Sequence, residues 1–194
     1  LDERRDAYVT ALGCTCFHAA IRQRFPNGTR TGARGIFSSC ERFTWAYYTL
    51  PVEARPPWMG PELCKRSAYA GCLAVLQLAR TSGHEWNAWT CREAARGGNL
   101  EMLQWARENG CEWSAWTCSA AAGGGHLGVL QWARENGCEW NAWTCSAAAA
   151  GGHLEVLQWA RENECEWDED TCREAALGGY LEVLQWARQN GCEW

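Results

Sequence analysis

Residues 111–137 have the sequence CEWSAWTCSAAAGGGHLGVLQWARENG, and closely similar copies fill residues 84–110, 138–164 and 165–191 without a gap. A weaker copy covers residues 57–83. A fixed period between about 20 and 50 residues is the sequence mark of a repeat array, in which each unit buries its apolar face against its neighbours. The 27-residue period therefore predicts a solenoid.

Each copy has the pattern of two short helices. In residues 100–109 the apolar positions cover more than half of a helix circumference, so this second helix should be covered on several sides, with Trp105 in the core. The equivalent tryptophans are Trp132, Trp159 and Trp186.

The remaining signals mark where the helices begin and end. Thr90 is predicted as the N-cap of the first helix, with Glu93 completing a capping box. Gly97 and Gly98 should form the turn between the two helices, and Asn109–Gly110 suits a left-handed C-cap.

The same residues resemble those of ankyrin repeats. Gly-His-Leu-Glu-Val-Leu at 152–157, followed by Arg-Glu-Asn and Cys-Glu-Trp, is similar to the second ankyrin helix and its exit turn, and Thr-Cys-x-x-Ala-Ala at 144–149 is similar to the first helix. The likeness covers residues 36–194 and implies an all-α, ankyrin-like helix-turn-helix solenoid. The usual Thr-Pro-Leu-His start is missing, and each unit is about six residues shorter than a standard repeat of roughly 33. The resemblance thus implies shortened inter-repeat turns, in place of the β-fingers at whose tips ankyrin proteins often bind partners.

Outside the regular repeats of residues 84–191 the chain is less uniform. Residues 36–83 are predicted to form irregular repeats with one proline-rich loop, and residues 192–194 resemble the start of a further repeat. Residues 1–35 should form a helical segment that caps the array. Ala-Leu-Gly-Cys-Thr-Cys-Phe-His at 11–18 also resembles the later helices of an F-box, whose Leu-Pro opening is missing. Because the sequence begins with Leu1, we expect that opening to lie upstream.

Thirteen cysteines are present, and nine of them occupy two fixed positions of the repeat. Neighbouring helices pack about 8–10 Å apart, which is too far for a disulfide between equivalent cysteines, whereas bridges between the two columns remain open. The spacing lacks the C-x2-C pairs of zinc sites, so small buried hydrophobes in a reduced, intracellular compartment (cytoplasmic or nuclear) are expected. The first column contains Cys64, Cys91, Cys118, Cys145 and Cys172, and the second contains Cys111, Cys138, Cys165 and Cys192.

Charge and motifs argue against several functions. Residues 36–194 hold twelve basic and twenty acidic residues, a poor composition for binding nucleic acid. We find no apolar run long enough for a membrane span, and no phosphate-binding, zinc-protease or nucleophile motif. Cys14, Cys16 and His18 do not share one helix face, and the recurring His126 and His153 are expected to bond local backbone. The sequence therefore predicts no cofactor, no metal and no enzymatic activity, which leaves enzyme or metal-binding protein as remote alternatives.

Positions that vary between repeats are where a binding face could be encoded, although drift on a solvated face would look the same. The position before the threonine of the first helix holds a tryptophan in three repeats. The position two residues after the threonine holds arginine in the first and fourth regular repeats and serine in the two between them. Because Trp and Arg are enriched in binding hot spots, they are candidates for contacting a partner. Tryptophans that merely seal the shortened turns are the competing interpretation. The candidate residues are Trp89, Arg92, Arg96, Trp116, Trp143, Asp170 and Arg173.

Two functions are consistent with these features. The first is a protein-protein interaction module that presents an extended surface to a protein partner, without nucleic acid or membrane. The second is the substrate-recruiting subunit of an F-box-type ubiquitin ligase, with an adaptor subunit as a further partner.

Overall fold

The computed structural model describes residues 62–193, and the described residues are helical, without a strand. The expectations for the helical segment and F-box resemblance of residues 1–35, and for most of the irregular repeats, lie outside the described residues. The chain divides into two compact units, residues 1–85 and residues 86–194. The described part of the first unit is one helix pair, α1 (Leu63–Ala70) and α2 (Leu73–Thr81).

The second unit contains four helix pairs with the spacing that the sequence predicts. First helices begin at Ala88, Ala115, Ala142 and Glu169, each 27 residues after the previous one. The all-α helix-turn-helix prediction is therefore confirmed, and the inter-repeat turns are short. The eight helices are α3 (Ala88–Arg96), α4 (Leu100–Glu108), α5 (Ala115–Gly123), α6 (Leu127–Glu135), α7 (Ala142–Ala150), α8 (Leu154–Glu162), α9 (Glu169–Gly178) and α10 (Leu181–Gln189).

The predicted N-cap of the first helix is wrong by one turn. Asn87, not Thr90, caps α3, since its side-chain oxygen accepts a hydrogen bond from the amide of Trp89 at 3.0 Å. Ser114 caps α5 in a capping box whose third helical residue is Thr117. Thr90 and Thr117 are both buried within the helix. The error arose because Asn, Ser and Asp cap as well as Thr does, and the sequence offers two candidates three residues apart.

The first helices form the centre of the second unit. Consecutive first helices α3, α5, α7 and α9 pack against one another, and each also packs against the second helix of its own repeat. Small residues make this approach possible, because Cys118, Ala121 and Ala122 are fully buried on α5. Ser119 of α5 also lies 3.4 Å from Thr144 of α7, oxygen to oxygen.

The second helices are buried on one side only. On α6 the residues Val129, Leu130 and Ala133 lie in the core, but Trp132 is half-buried. Its ring meets the ring of Trp113 edge to face, with centroids 5.8 Å apart. The expectation that the tryptophan of the second helix lies inside the core is therefore wrong. Each indole covers part of the other, so both rings are partly buried at the edge of the core without being enclosed in it.

The nine cysteines of the two repeat columns are not joined in disulfides, and they act as small buried hydrophobes. All nine at the repeat positions are buried, and those of the second column also donate to the preceding repeat, as Cys138 does to the carbonyl of Ser114 at 3.4 Å. Members of the two columns meet as thiol pairs. The hydrogen bond with Cys138, together with burial, raises the pKa of Cys118 far above its ordinary value. A thiol held protonated and out of solvent is a structural group rather than a reactive one.

Candidate functional site

Three exposed tryptophans follow the N-caps of successive first helices. Trp89, Trp116 and Trp143 occupy the second helical position of α3, α5 and α7, and 54, 55 and 53% of their surfaces are exposed. The rings of Trp116 and Trp143 lie 6.0 Å apart, centroid to centroid, at an angle of 41°. The rings therefore stand side by side on the surface, where more than half of each ring is available to a partner.

A groove runs across the first helices beside these rings, and we call it the tryptophan groove. Trp116 and Trp143 form its wall, Arg92 lies at one end and Glu174 at the other. The floor consists of small side chains, namely Ser119, Ala120, Ser146, Ala147 and Ala150. Small, flat floors let a partner approach the helix backbone closely.

A second cavity continues the groove towards α3. Trp89 and Trp116 line its two sides, with Ala88, Ser114 and Arg92 between them. The guanidinium of Arg92 lies 4.6 Å from the centroid of the Trp89 ring, a cation–π contact that holds the two side chains together. The two cavities share Arg92 and Trp116.

The candidate arginines and aspartate belong to ion pairs at the two ends of the tryptophan groove. Near α3, Glu93 lies 3.3 Å from Arg92 and 3.8 Å from Arg96. On α9, Arg173 lies 2.9 Å from Asp170, and its second pairing is with Glu174 at 3.1 Å. The pairs made by Arg96 and Arg173 are too exposed to add much stability, so their main effect is to position charge.

The structure thus places Trp89, Trp116, Trp143 and Arg92 on the walls of the two cavities, whereas Arg96, Asp170 and Arg173 neighbour the groove through their ion pairs. Glu174 lines the groove and was not among the candidates. Its signal was available, because the equivalent residues in the two preceding repeats are alanines.

The ends of the second helices carry a repeated contact that the sequence analysis missed. Arg134, at the end of α6, donates to the carbonyl of Cys138 at 2.6 Å, and its guanidinium lies 4.1 Å from the centroid of the Trp140 ring. Arg107 and Arg161 make the same pair of contacts one repeat earlier and one repeat later. Each of these arginines therefore fastens its repeat to the next one. Its constant spacing of six residues from the tryptophan was the signal.

The recurring histidine also acts between repeats. The Nε2–H of His126 donates to the carbonyl of Arg96, 3.1 Å away in the preceding repeat. Since a carbonyl can only accept, this bond fixes the protonated nitrogen. The expected bond to local backbone is therefore wrong for His126, although its structural rather than catalytic role is supported.

Two further findings concern the described residues. We find no group of three or more His, Cys, Asp or Glu side chains arranged to hold a metal ion. No helix within residues 62–193 combines the length and apolar character needed to cross a bilayer.

Comparison with solved structures identifies the architecture. The chain superposes on the crystal structure of the human ASB11 ankyrin repeat domain with a TM-score of 0.54, over 72% of this chain and 71% of that chain, at 17% sequence identity. This protein has the ankyrin-repeat fold. No protein-family model matches the sequence, and no curated protein matches it significantly. At this identity the likeness concerns the fold, and it confirms the ankyrin-like repeat prediction with shortened turns.

Proposed function

We propose that this ankyrin-like repeat protein is a protein-interaction module, not an enzyme, and that it binds its partner in the tryptophan groove. The observation that carries the proposal is the row of exposed rings Trp89, Trp116 and Trp143 beside a floor of small side chains. A large ring left more than half exposed loses much of the free energy that burial would contribute, roughly 25 cal/mol per Å² of apolar surface. Three such rings in one row form an apolar patch of the kind that marks interaction sites.

The competing interpretation is that the rings only seal the inter-repeat turns. Sealing would require these tryptophans to be covered by the turns, yet more than half of the surface of each residue is exposed. Interface hot spots combine aromatic anchors with arginine, and Arg92 is held directly over the Trp89 ring. The geometry therefore favours a contact surface over a seal.

The test is partner capture by the full chain and by two variants. Trp116→Ala should lose at least about 90% of the captured partner, since a central hot-spot residue contributes 2 kcal/mol or more to binding. Its melting temperature should change little, because the ring is exposed. Leu177→Ala is the matched control, since Leu177 is an exposed apolar residue that does not line the groove. Equal capture by the wild type and Trp116→Ala, quantified by mass spectrometry, would assign the tryptophans to the scaffold.

A further inference from the structure

The two ends of the tryptophan groove carry opposite charge. At the α3 end two arginines, Arg92 and Arg96, both pair with the carboxylate of Glu93. At the α9 end two carboxylates, those of Asp170 and Glu174, surround the single guanidinium of Arg173. The groove wall between these ends is uncharged. A partner that fills the groove therefore meets a net positive charge at one end and a net negative charge at the other.

The floor between the ends offers few hydrogen bonds. The hydroxyl of Ser119 donates to the carbonyl of Ala115 at 3.3 Å, and its remaining contact is with the hydroxyl of Thr144. Ser146 is engaged in the same way with Ala142 and Thr171. Both serines are almost fully buried, so the exposed floor consists mainly of alanine methyl groups. A polypeptide backbone lying on it would find no partners for its amide and carbonyl groups.

Because the floor offers no hydrogen-bond partners to a bound backbone, it favours one backbone conformation of the bound segment. An extended segment would leave one side of its backbone unpaired and partly desolvated, which costs free energy for each group. A helix satisfies its own backbone and can lay an apolar face into a groove. Arg92 and Glu174 are three repeat steps apart, about 24–30 Å at the usual helix spacing. At 1.5 Å per residue, a helix of about 16–20 residues spans that length.

We propose that the tryptophan groove binds an amphipathic helix of this length, with an acidic residue at the end beside Arg92 and a basic residue at the end beside Glu174. The cavity between Trp89 and Trp116 receives a bulky apolar side chain near the acidic end of that helix. The inference rests on the proposed function, and it adds the class of partner and its charge pattern.

The experiment selects the helix directly. A display library of 20-residue helical peptides, randomised on one face, is selected against the full 194-residue chain. Enriched peptides should carry an apolar stripe with an acidic residue at one end and Lys or Arg at the other. The strongest binder is then synthesised, and its Kd is measured against the wild type and three variants: Glu174→Lys, Glu155→Lys and Trp116→Ala.

Glu174→Lys should weaken binding about fivefold to tenfold, because the attraction of a partly buried carboxylate for the basic residue of the peptide is replaced by a repulsion. Replacing the basic residue of the peptide by Glu should restore the affinity for that variant. Glu155→Lys is the matched control, since it makes the same charge change at an exposed position of α8 and should leave the Kd unchanged. Circular dichroism of the complex should show gained helix.

Several outcomes overturn the inference. They are enriched peptides without the charge pattern, a bound peptide that is not helical, equal effects of Glu174→Lys and Glu155→Lys, or no enrichment at all. Binding that requires Trp116 but ignores Glu174 would leave the proposed function standing. Peptide binding that survives Trp116→Ala would remove support from both.

Discussion

The substitution Gly125→Ala tests how closely neighbouring repeats are packed. Gly125 has a φ of +74°, and a Cβ added there would lie 2.6 Å from two atoms of the His153 ring in the next repeat. The same ring packs closely against Gly151 on its other side, where an added Cβ would lie 2.4 Å from it. The histidine therefore fills the space between two successive Gly-Gly turns.

The matched control is Gly137→Ala. Gly137 has a φ of +82° and nothing within 4 Å of an added Cβ, so its substitution introduces backbone strain alone. Left-handed strain costs about 1–2 kcal/mol, which the reduced entropy of the unfolded chain offsets by about 0.4–1 kcal/mol. The strain and the entropy gain are the same in both variants. The difference between their unfolding free energies therefore measures the clash of the added methyl group with His153, which we expect to cost about 1–3 kcal/mol as overpacking.

The assay is urea unfolding followed by circular dichroism, with each glycine variant made in the wild-type and His153→Ala backgrounds. In the His153→Ala background, the loss caused by Gly125→Ala should fall to that caused by Gly137→Ala. Equal losses for the two glycine variants, or a clash that persists without the imidazole, would refute the packing of histidine on the turn.

Three further predictions follow from burial. Trp132→Ala should lower the free energy of unfolding by about 2–3 kcal/mol, less than a full core truncation, while Trp116→Ala should lower it by less than about 1 kcal/mol; equal losses in chemical denaturation would contradict the assigned exposures. The nine buried thiols, Cys118 among them, should resist alkylation in the native protein and react on unfolding, as site-resolved mass spectrometry can show. Amide exchange should be faster in α10 than in α6, since Leu177 and Leu181 are 75 and 62% exposed, and equal protection would argue against a loosely held last repeat.

The repeat pattern was sufficient to predict the helices and their order. The Gly97–Gly98 turn and the left-handed Gly110 lie where the sequence places them, because glycine at such positions has few alternative uses. The start of the first helix was less certain, since Asn87 and Thr90 are both good N-cap residues and only three-dimensional packing decides between them. The helical periodicity of the apolar residues also overestimated the burial of Trp132. Periodicity predicts which face of the helix a side chain lies on, but not what fraction of that side chain the neighbouring helices cover.

The sequence likewise predicts some features of the candidate site and not others. Variation between repeats drew attention to Trp116 and Arg92, and the structure places both on the groove. Sequence variation could not show that His126 bonds to the preceding repeat or that Arg134 contacts the next one. Both contacts join residues of different repeats, and the distance between such residues depends on the angle at which the repeats stack. Invariant spacing within the array indicates a role in stacking, but it does not name the partner atom.

The near identity of the middle repeats has a consequence for folding. The sequences of α5 and α7 differ at one position, as do those of α6 and α8. A helix pair that docks one repeat out of register, or on a second molecule, makes almost the same contacts, so only a small energy gap separates native from shifted pairings. The charged residues of α3 and α9 distinguish these two helices from α5 and α7. Besides the role proposed for them beside the tryptophan groove, they help to set the register of repeats that are otherwise almost identical.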